Sequence, residues 1–346
     1  MVDLTPGPDG TDEVLVGRHG ALGWLRLNRP RALNSLSIAM IRALTEQLEV
    51  WRDDPEVRAV WLDGAGDRGF CAGGDVRAVR EAHLDGAAGA QFFAEEYRLD
   101  GLVADYPTPV VAVMDGITMG GGVGLGMNAA RRVVTERTRL AMPETTIGFF
   151  PDVGATYRLS RAPGELGTHV ALTGEVVDGA GAIALGLADV LVPSAELEDA
   201  AARVAAGSPP DVAVVGEAPP SSLVAQRGWV DRCYAGDDAA EIVARLEAST
   251  EPEARAAAAT IRSRSPLSVA VTLAVLRRAA GAASVHEVLD SDAQVAAAML
   301  TDAGSDFVEG VRAQLVDKDR SPTWRHARLE DVTPADLTPY LLLATP

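Results

Sequence analysis

Cysteine is nearly absent from this 346-residue chain: only Cys71 and Cys233 occur, far apart and without CxxC spacing. That excludes a disulfide framework and argues against a zinc site. Cys71, between Phe70 and Ala72, reads as a small buried apolar residue. Histidine is scarce as well. His19, His83, His169, His286 and His326 show no ligand spacing, and neither HExxH nor GxSxG occurs. A metal hydrolase and a serine hydrolase are disfavoured, and neither a metal nor a redox cofactor is expected. Basic residues are outnumbered, 31 Lys and Arg against 49 Asp and Glu, for a net charge of −18. Bulk electrostatics thus opposes a nucleic-acid or anionic-membrane partner, although a local arginine cluster can still receive a phosphate-bearing ligand. No apolar run is long enough to span a bilayer. The opening MVDLTPGPDGTDE has neither the basic nor the apolar region of a secretory signal, so none is expected; the alanine- and arginine-rich composition hints at a high-GC bacterium and with it a cytoplasmic location.

What is present fits an ordinary globular protein, 47% apolar and 23% charged, with length enough for a large core and a second unit. Residues 13–28 read as a hairpin. Apolar positions at helical spacing predict a helix over 37–52 with Ser37 as N-cap. VRAVWLDG (57–64) and PVVAVMDG (109–116) read as buried strands, the second followed by glycines and a helix near 122–130. Short strands are expected at 132–135, 139–141 and 188–193, and helices at 155–161 and 179–186. This alternation predicts an α/β fold with sheet faces covered by helices. Past about residue 206 the linker GSPPDVAVVGEAPPSS (207–222) leads into helix-forming sequence at 241–249, 252–264, 266–281 and 285–300. Two domains are expected, 1–206 carrying the active site and 221–346 mainly helical.

The stretch LAMPETTIGFFPDVGATYRL (140–159) holds two carboxylates, Glu144 and Asp152, in otherwise apolar surroundings. Apolar walls raise a carboxyl's pKa toward the range useful for proton transfer. Each acid follows a proline, and read singly each also fits a helix cap or an ion-pair partner. Two glycine turns precede them, FCAGGD (70–75) and MGGGVGLG (119–126). Glycines permit close backbone approach, so N–H groups from the two turns could form an oxyanion hole; equally, they could simply permit tight turns. Neither GxGxxG nor GxxxxGK[ST] is satisfied there. Glu96, in FFAEEYRLD, fits the solvated face of an amphipathic helix.

Taken together, LNRPRALNSLS (27–37), FCAGGDV, GITMGGGVGLG and AMPETTIGFFPDVGATYRL resemble the crotonase (enoyl-CoA hydratase/isomerase) superfamily. Within it, DFVEGVRAQLVDKDRSPTW (306–324) is similar to the C-terminal segment of the 3-hydroxyisobutyryl-CoA hydrolases. The resemblance covers almost the whole chain. It implies a crotonase-like ββα spiral core with a mainly helical C-terminal region. It also implies that the N–H groups of Gly74 and Gly121 hold a thioester oxygen, that Glu144 and Asp152 are the catalytic carboxylates, and that Glu96 borders the acyl pocket. CoA, as part of the substrate, would lie along Arg29, Arg31, Ala32, Ala72, Gly73, Asp75 and Val76, with Arg68 also near the phosphates. The implied reaction is hydrolysis of 3-hydroxyisobutyryl-CoA, or a close short 3-hydroxyacyl-CoA, in valine catabolism. An enoyl-CoA hydratase or isomerase is the alternative, and a non-catalytic acyl-CoA-binding protein a second. One departure separates them: related hydratases carry a second glutamate, and dienoyl-CoA isomerases an aspartate, where this chain has Gly124. Many crotonases are trimers, so a homo-oligomer is compatible with the resemblance, although the C-terminal extension could alter that interface.

Overall fold

Strict alternation along neighbouring strands sorts side chains onto two faces of a large sheet. The computed structural model describes residues 3–8, 10–85, 89–301 and 305–341. Its strands are β1 (Thr5–Pro6), β2 (Val14–His19), β3 (Leu22–Leu27), β4 (Ala59–Gly64), β5 (Gly69–Cys71), β6 (Val110–Met114), β7 (Ile117–Met119), β8 (Arg131–Val134), β9 (Arg139–Ala141) and β10 (Val190–Leu191). Seven of them form one sheet in the order β1-β2-β3-β4-β6-β8-β10, and β5-β7-β9 form a second. The β2–β3 hairpin is antiparallel; from β3 onward every pairing in the large sheet is parallel. Parallel pairing requires crossovers, which the helices between the strands supply.

On one face Leu22, Trp24, Ala59, Trp61, Val111 and Val113 pack with Ala200, Ala201 and Val204 of the helix Leu197–Ala205. Burial of a large apolar side chain of this kind stabilises by about 1.5–3 kcal/mol. The other face lies against the helix Ile38–Trp51, whose Trp51 ring fills the space over Gly23. Ser37 caps that helix as expected, its Oγ accepting the Met40 N–H at 3.1 Å. The expected helices at 252–264, 266–281 and 285–300 form as Pro252–Arg262, Pro266–Ala279 and Val285–Thr301.

The chain condenses into two compact units, and these do not follow a single cut near residue 206 or 221. One comprises Met1–Asp75, Glu95–Ala141 and Val177–Ser221; the other comprises Val76–Ala94, Met142–Val176 and Ser222–Pro346. The reason is local. The stretch read as a linker keeps to the strand-rich unit, because Leu191 and Glu217 exchange backbone hydrogen bonds of 2.7 and 2.9 Å. Conversely, Phe93 stacks on Phe149 at 5.0 Å and meets Phe307 at 6.3 Å, which draws both early segments into the helical unit. Among the described residues no helix is long and apolar enough to cross a membrane.

Candidate active site

In the strand-rich unit the two glycine turns lie side by side. Strand β5 runs into Ala72–Asp75, where Leu36 donates its N–H to the Gly73 carbonyl and accepts the Asp75 N–H, each at 2.8 Å. In this parallel bridge the bonding groups are the neighbours of Gly74, so the Gly74 N–H points away from Leu36. Gly73 holds φ +98°, and a Cβ there would sit 3.1 Å from the Met119 carbonyl oxygen and 3.6 Å from the Gly121 nitrogen. Gly121 opens the helix Gly121–Met127, behind Gly120 with φ 50° and ψ −123°. Its N–H, as the first of a helix, has no intrahelical acceptor.

Glu96 completes this group. Its side chain is not on a solvated face: Glu96 is 2% exposed, and a Cβ on Gly121 would come 2.0 Å from Glu96 Oε1. Asp100, one helical turn further, is fully buried. Cys71 lies beneath the turn, its thiol pushed up to about 12 by burial, with Glu96 and Asp100 adding to the shift. It is therefore a poor nucleophile, as its sequence context suggests.

The proposed CoA-contacting residues divide by role. The Arg29 guanidinium is held at 3.1 Å by both Glu13 and Asp75, and donates to the Ser35 carbonyl at 2.7 Å. It fastens the LNRPRALN turn to the 72–75 turn. Arg68 donates to the Pro30 carbonyl, and Asn34 Nδ2 to the Ala65 and Gly69 carbonyls at 3.0 Å. Arg31 and Ala32 remain exposed, while Ala72, Asp75 and Val76 are half-buried. A separate cavity of about 500 Å³, lined by Trp24, Arg26, Trp61 and Asp63, contains neither Gly74 nor Gly121. Its Asp63 carboxylate is taken up by Arg26 and Trp24.

The helical unit carries the acids. Glu144 begins a 3-10 turn, Glu144–Ile147, and Asp152 stands just before the helix Ala155–Leu159. Both are buried, at 6% and 4% exposure. Neither is a cap: Pro143 and Gly154 hold the N-cap positions, without side-chain capping bonds. Between them in sequence, Phe149 and Phe150 join Phe93 and Phe307 in an aromatic cluster.

The Glu144 turn is gripped by the C-terminal region of the same unit. The Ser265 N–H donates to the Thr145 carbonyl at 3.2 Å, and a Cβ on Gly310 would meet the Ile147 backbone at 2.3 Å. Asp306 accepts from Ser265 Oγ at 2.5 Å and from the Arg325 N–H at 2.8 Å. A cleft of about 870 Å³ opens beside this segment, lined by Arg80, His83, Glu309, Arg312 and Arg325. Arg80 and Arg325 carry no distinguishing pattern in the sequence; only the fold brings them to one cleft.

Buried acids on a turn after a short strand, and paired glycine turns ending in helix N-termini, define a protein of the crotonase superfamily. Residues 22–341 match the sequence model of that family, described as enoyl-CoA hydratase/isomerase, and the chain belongs to it. More particularly, it is 40% identical over 344 residues to the mitochondrial 3-hydroxyisobutyryl-CoA hydrolase of Rattus norvegicus, covering 95% of this chain and 89% of that protein. Among solved structures it is similar to a carnitinyl-CoA dehydratase from Mycobacterium thermoresistibile, with TM-score 0.91, 47% identity and 97% and 98% of the two chains covered. An enoyl-CoA hydratase from Rhodobacter sphaeroides 2.4.1 matches with TM-score 0.91 and 40% identity, over 96% and 97%.

Proposed function

We propose that this chain hydrolyses the thioester of 3-hydroxyisobutyryl-CoA, or a close short 3-hydroxyacyl-CoA, to the free hydroxy acid and CoA in valine catabolism. The observation that carries the reading is the burial of Glu144 and Asp152 on one stretch of chain, neither spent on a helix cap. In the proposed reaction the N–H groups of Gly74 and Gly121 receive the negative charge that develops on the thioester oxygen. Loss of one such donor typically costs about a hundredfold or more. Glu144 attacks the carbonyl carbon, expelling CoA thiolate and leaving a mixed anhydride for water to open, or takes a proton from water that attacks directly. Both routes consume one water and release one thiol. Asp152 binds the substrate hydroxyl or orients the water, and Glu96 borders the acyl group.

Part of the CoA would follow Arg29, Arg31, Ala32 and the Ala72–Val76 turn. Arg29 and Arg68 support that path by shaping it, since both guanidinium groups are occupied by protein acceptors. A cytoplasmic location belongs to the same proposal; "mitochondrial" in the rat relative's name is said of that protein and not of this chain.

The names of the two solved structures favour a second reading, hydration of an enoyl-CoA. Against it stands Gly124, buried inside the helix Gly121–Met127, which brings no acid to the position where related hydratases keep one. Thiol release measured with 3-hydroxyisobutyryl-, 3-hydroxypropionyl- and crotonyl-CoA separates the readings. The hydrolase releases thiol from the hydroxyacyl esters. Loss of enoyl absorbance from crotonyl-CoA without thiol would establish the hydratase instead, and binding without turnover a silent acyl-CoA-binding protein.

A further inference from the structure

Asp152 is followed by Val153 at φ 55° and Gly154 at φ 78°. A β-branched residue in the left-handed region is rare, and such backbone costs on the order of 1–3 kcal/mol unless its surroundings hold it. What holds it comes from the helix Val285–Thr301, far along the chain. Gly154 donates its N–H to Asp292 Oδ2 at 2.9 Å, across 138 positions of sequence. Above the same glycine, Val285 and Leu289 leave no room for a side chain: a Cβ there would sit 2.8 Å from Val285 Cγ2. Asp292 is wholly buried, and its second oxygen, Oδ1, has no hydrogen-bond partner among the described residues. A carboxyl is an expensive group to bury for one backbone bond alone.

We propose that Asp292 is a positioning residue for Asp152, clamping the strained Asp152–Gly154 turn through the Gly154 N–H so that the Asp152 carboxylate is presented in one orientation. The inference rests on the reading of Asp152 as a working group of the thioesterase. Burial pushes the Asp292 carboxyl well up from its ordinary range, and the nearby Asp152 adds to the shift. A protonated Asp292 keeps its Oδ2 as acceptor for Gly154 without placing a second negative charge beside Asp152.

A double-mutant cycle on thiol release from 3-hydroxyisobutyryl-CoA tests this. Asp292→Leu keeps the branched shape, at a larger volume, and removes the acceptor; misplacement of a reacting group by about 1 Å predicts roughly a hundredfold lower kcat, with KM little changed. Asp292→Asn restores a neutral acceptor and is expected to return kcat to within roughly threefold of the parent. Because Asp292 acts through Asp152, Asp152→Asn with Asp292→Leu should be no slower than Asp152→Asn alone. Multiplicative losses in the double variant, or an undiminished kcat in Asp292→Leu, overturn the proposal. If Asp292→Leu does not fold, Asp292→Glu, one methylene longer, replaces it in the same cycle with the same expectation. An unchanged rate in Asp152→Asn alone would instead remove the reading of Asp152 on which the clamp depends.

Discussion

The carbonyl oxygen of Asp306 occupies the place where a side chain on Gly148 would begin: a Cβ there would come within 2.2 Å of it. Gly148 ends the Glu144–Ile147 turn at φ 72°, and Asp306 opens the DFVEGV segment. The C-terminal segment therefore sets the turn that carries Glu144. Gly148→Ala adds a strained left-handed alanine and a clash with rigid backbone. The expected loss is about 2–4 kcal/mol of stability in urea denaturation, accompanied by loss of thiol release. A variant within about 0.5 kcal/mol of the parent would contradict this packing.

Glu144→Gln preserves shape and removes the group that attacks or takes a proton. Thiol release should fall by about a thousandfold or more, while the affinity for CoA esters measured by calorimetry stays within a few-fold. Near-normal turnover would remove Glu144 from the mechanism. Equal losses of binding and turnover would instead assign it to substrate affinity.

Gly121 and Glu96 make a reciprocal prediction. Gly121→Ala keeps the backbone N–H but drives a methyl group to 2.0 Å from Glu96 Oε1, so the carboxylate must move. Destabilisation of about 1–3 kcal/mol is expected from this overpacking. Adding Glu96→Ala opens the space, and the double variant should recover part of the loss seen in Gly121→Ala. Strict additivity of the two changes would mean that the contact carries no energy.

The sequence makes some of this arrangement legible and hides the rest for physical reasons. Glycine turns, prolines and isolated acids mark 70–75, 119–126 and 144–152, because each constrains the backbone locally. Ser37 and the four long C-terminal helices were readable from capping and periodicity. The helix Leu166–Thr173 was not, since all its residues are buried and it presents no polar face. Read singly, Glu96 fits a solvated face, because an acid at one position of a mixed helix looks the same whether it meets water or Gly121; only the family resemblance singled it out. Asp292 is likewise one polar residue among several in VHEVLDSDAQVAAAML. Its partner lies far back along the chain, and only folding brings the Gly154 N–H to it.

That buried acid also gives the stability of the protein a definite pH dependence. Burial raises the Asp292 pKa well above its ordinary value of 3.8, and Asp152 adds to the rise. The Gly154 N–H and the Arg278 guanidinium act in the opposite direction. A carboxyl whose pKa is higher folded than unfolded binds more protons in the native state. Its favourable contribution is therefore complete below the unfolded value and is lost as pH rises through the folded one. Asp292→Asn cannot titrate and has no such loss. Thermal melts of the two proteins should differ least near pH 4 and separate progressively above it, the parent falling relative to the variant as pH rises. A gap that stays constant from about pH 4 to pH 9 would mean that Asp292 holds the same proton count folded and unfolded, and that the clamp on Gly154 is made by a charged carboxylate.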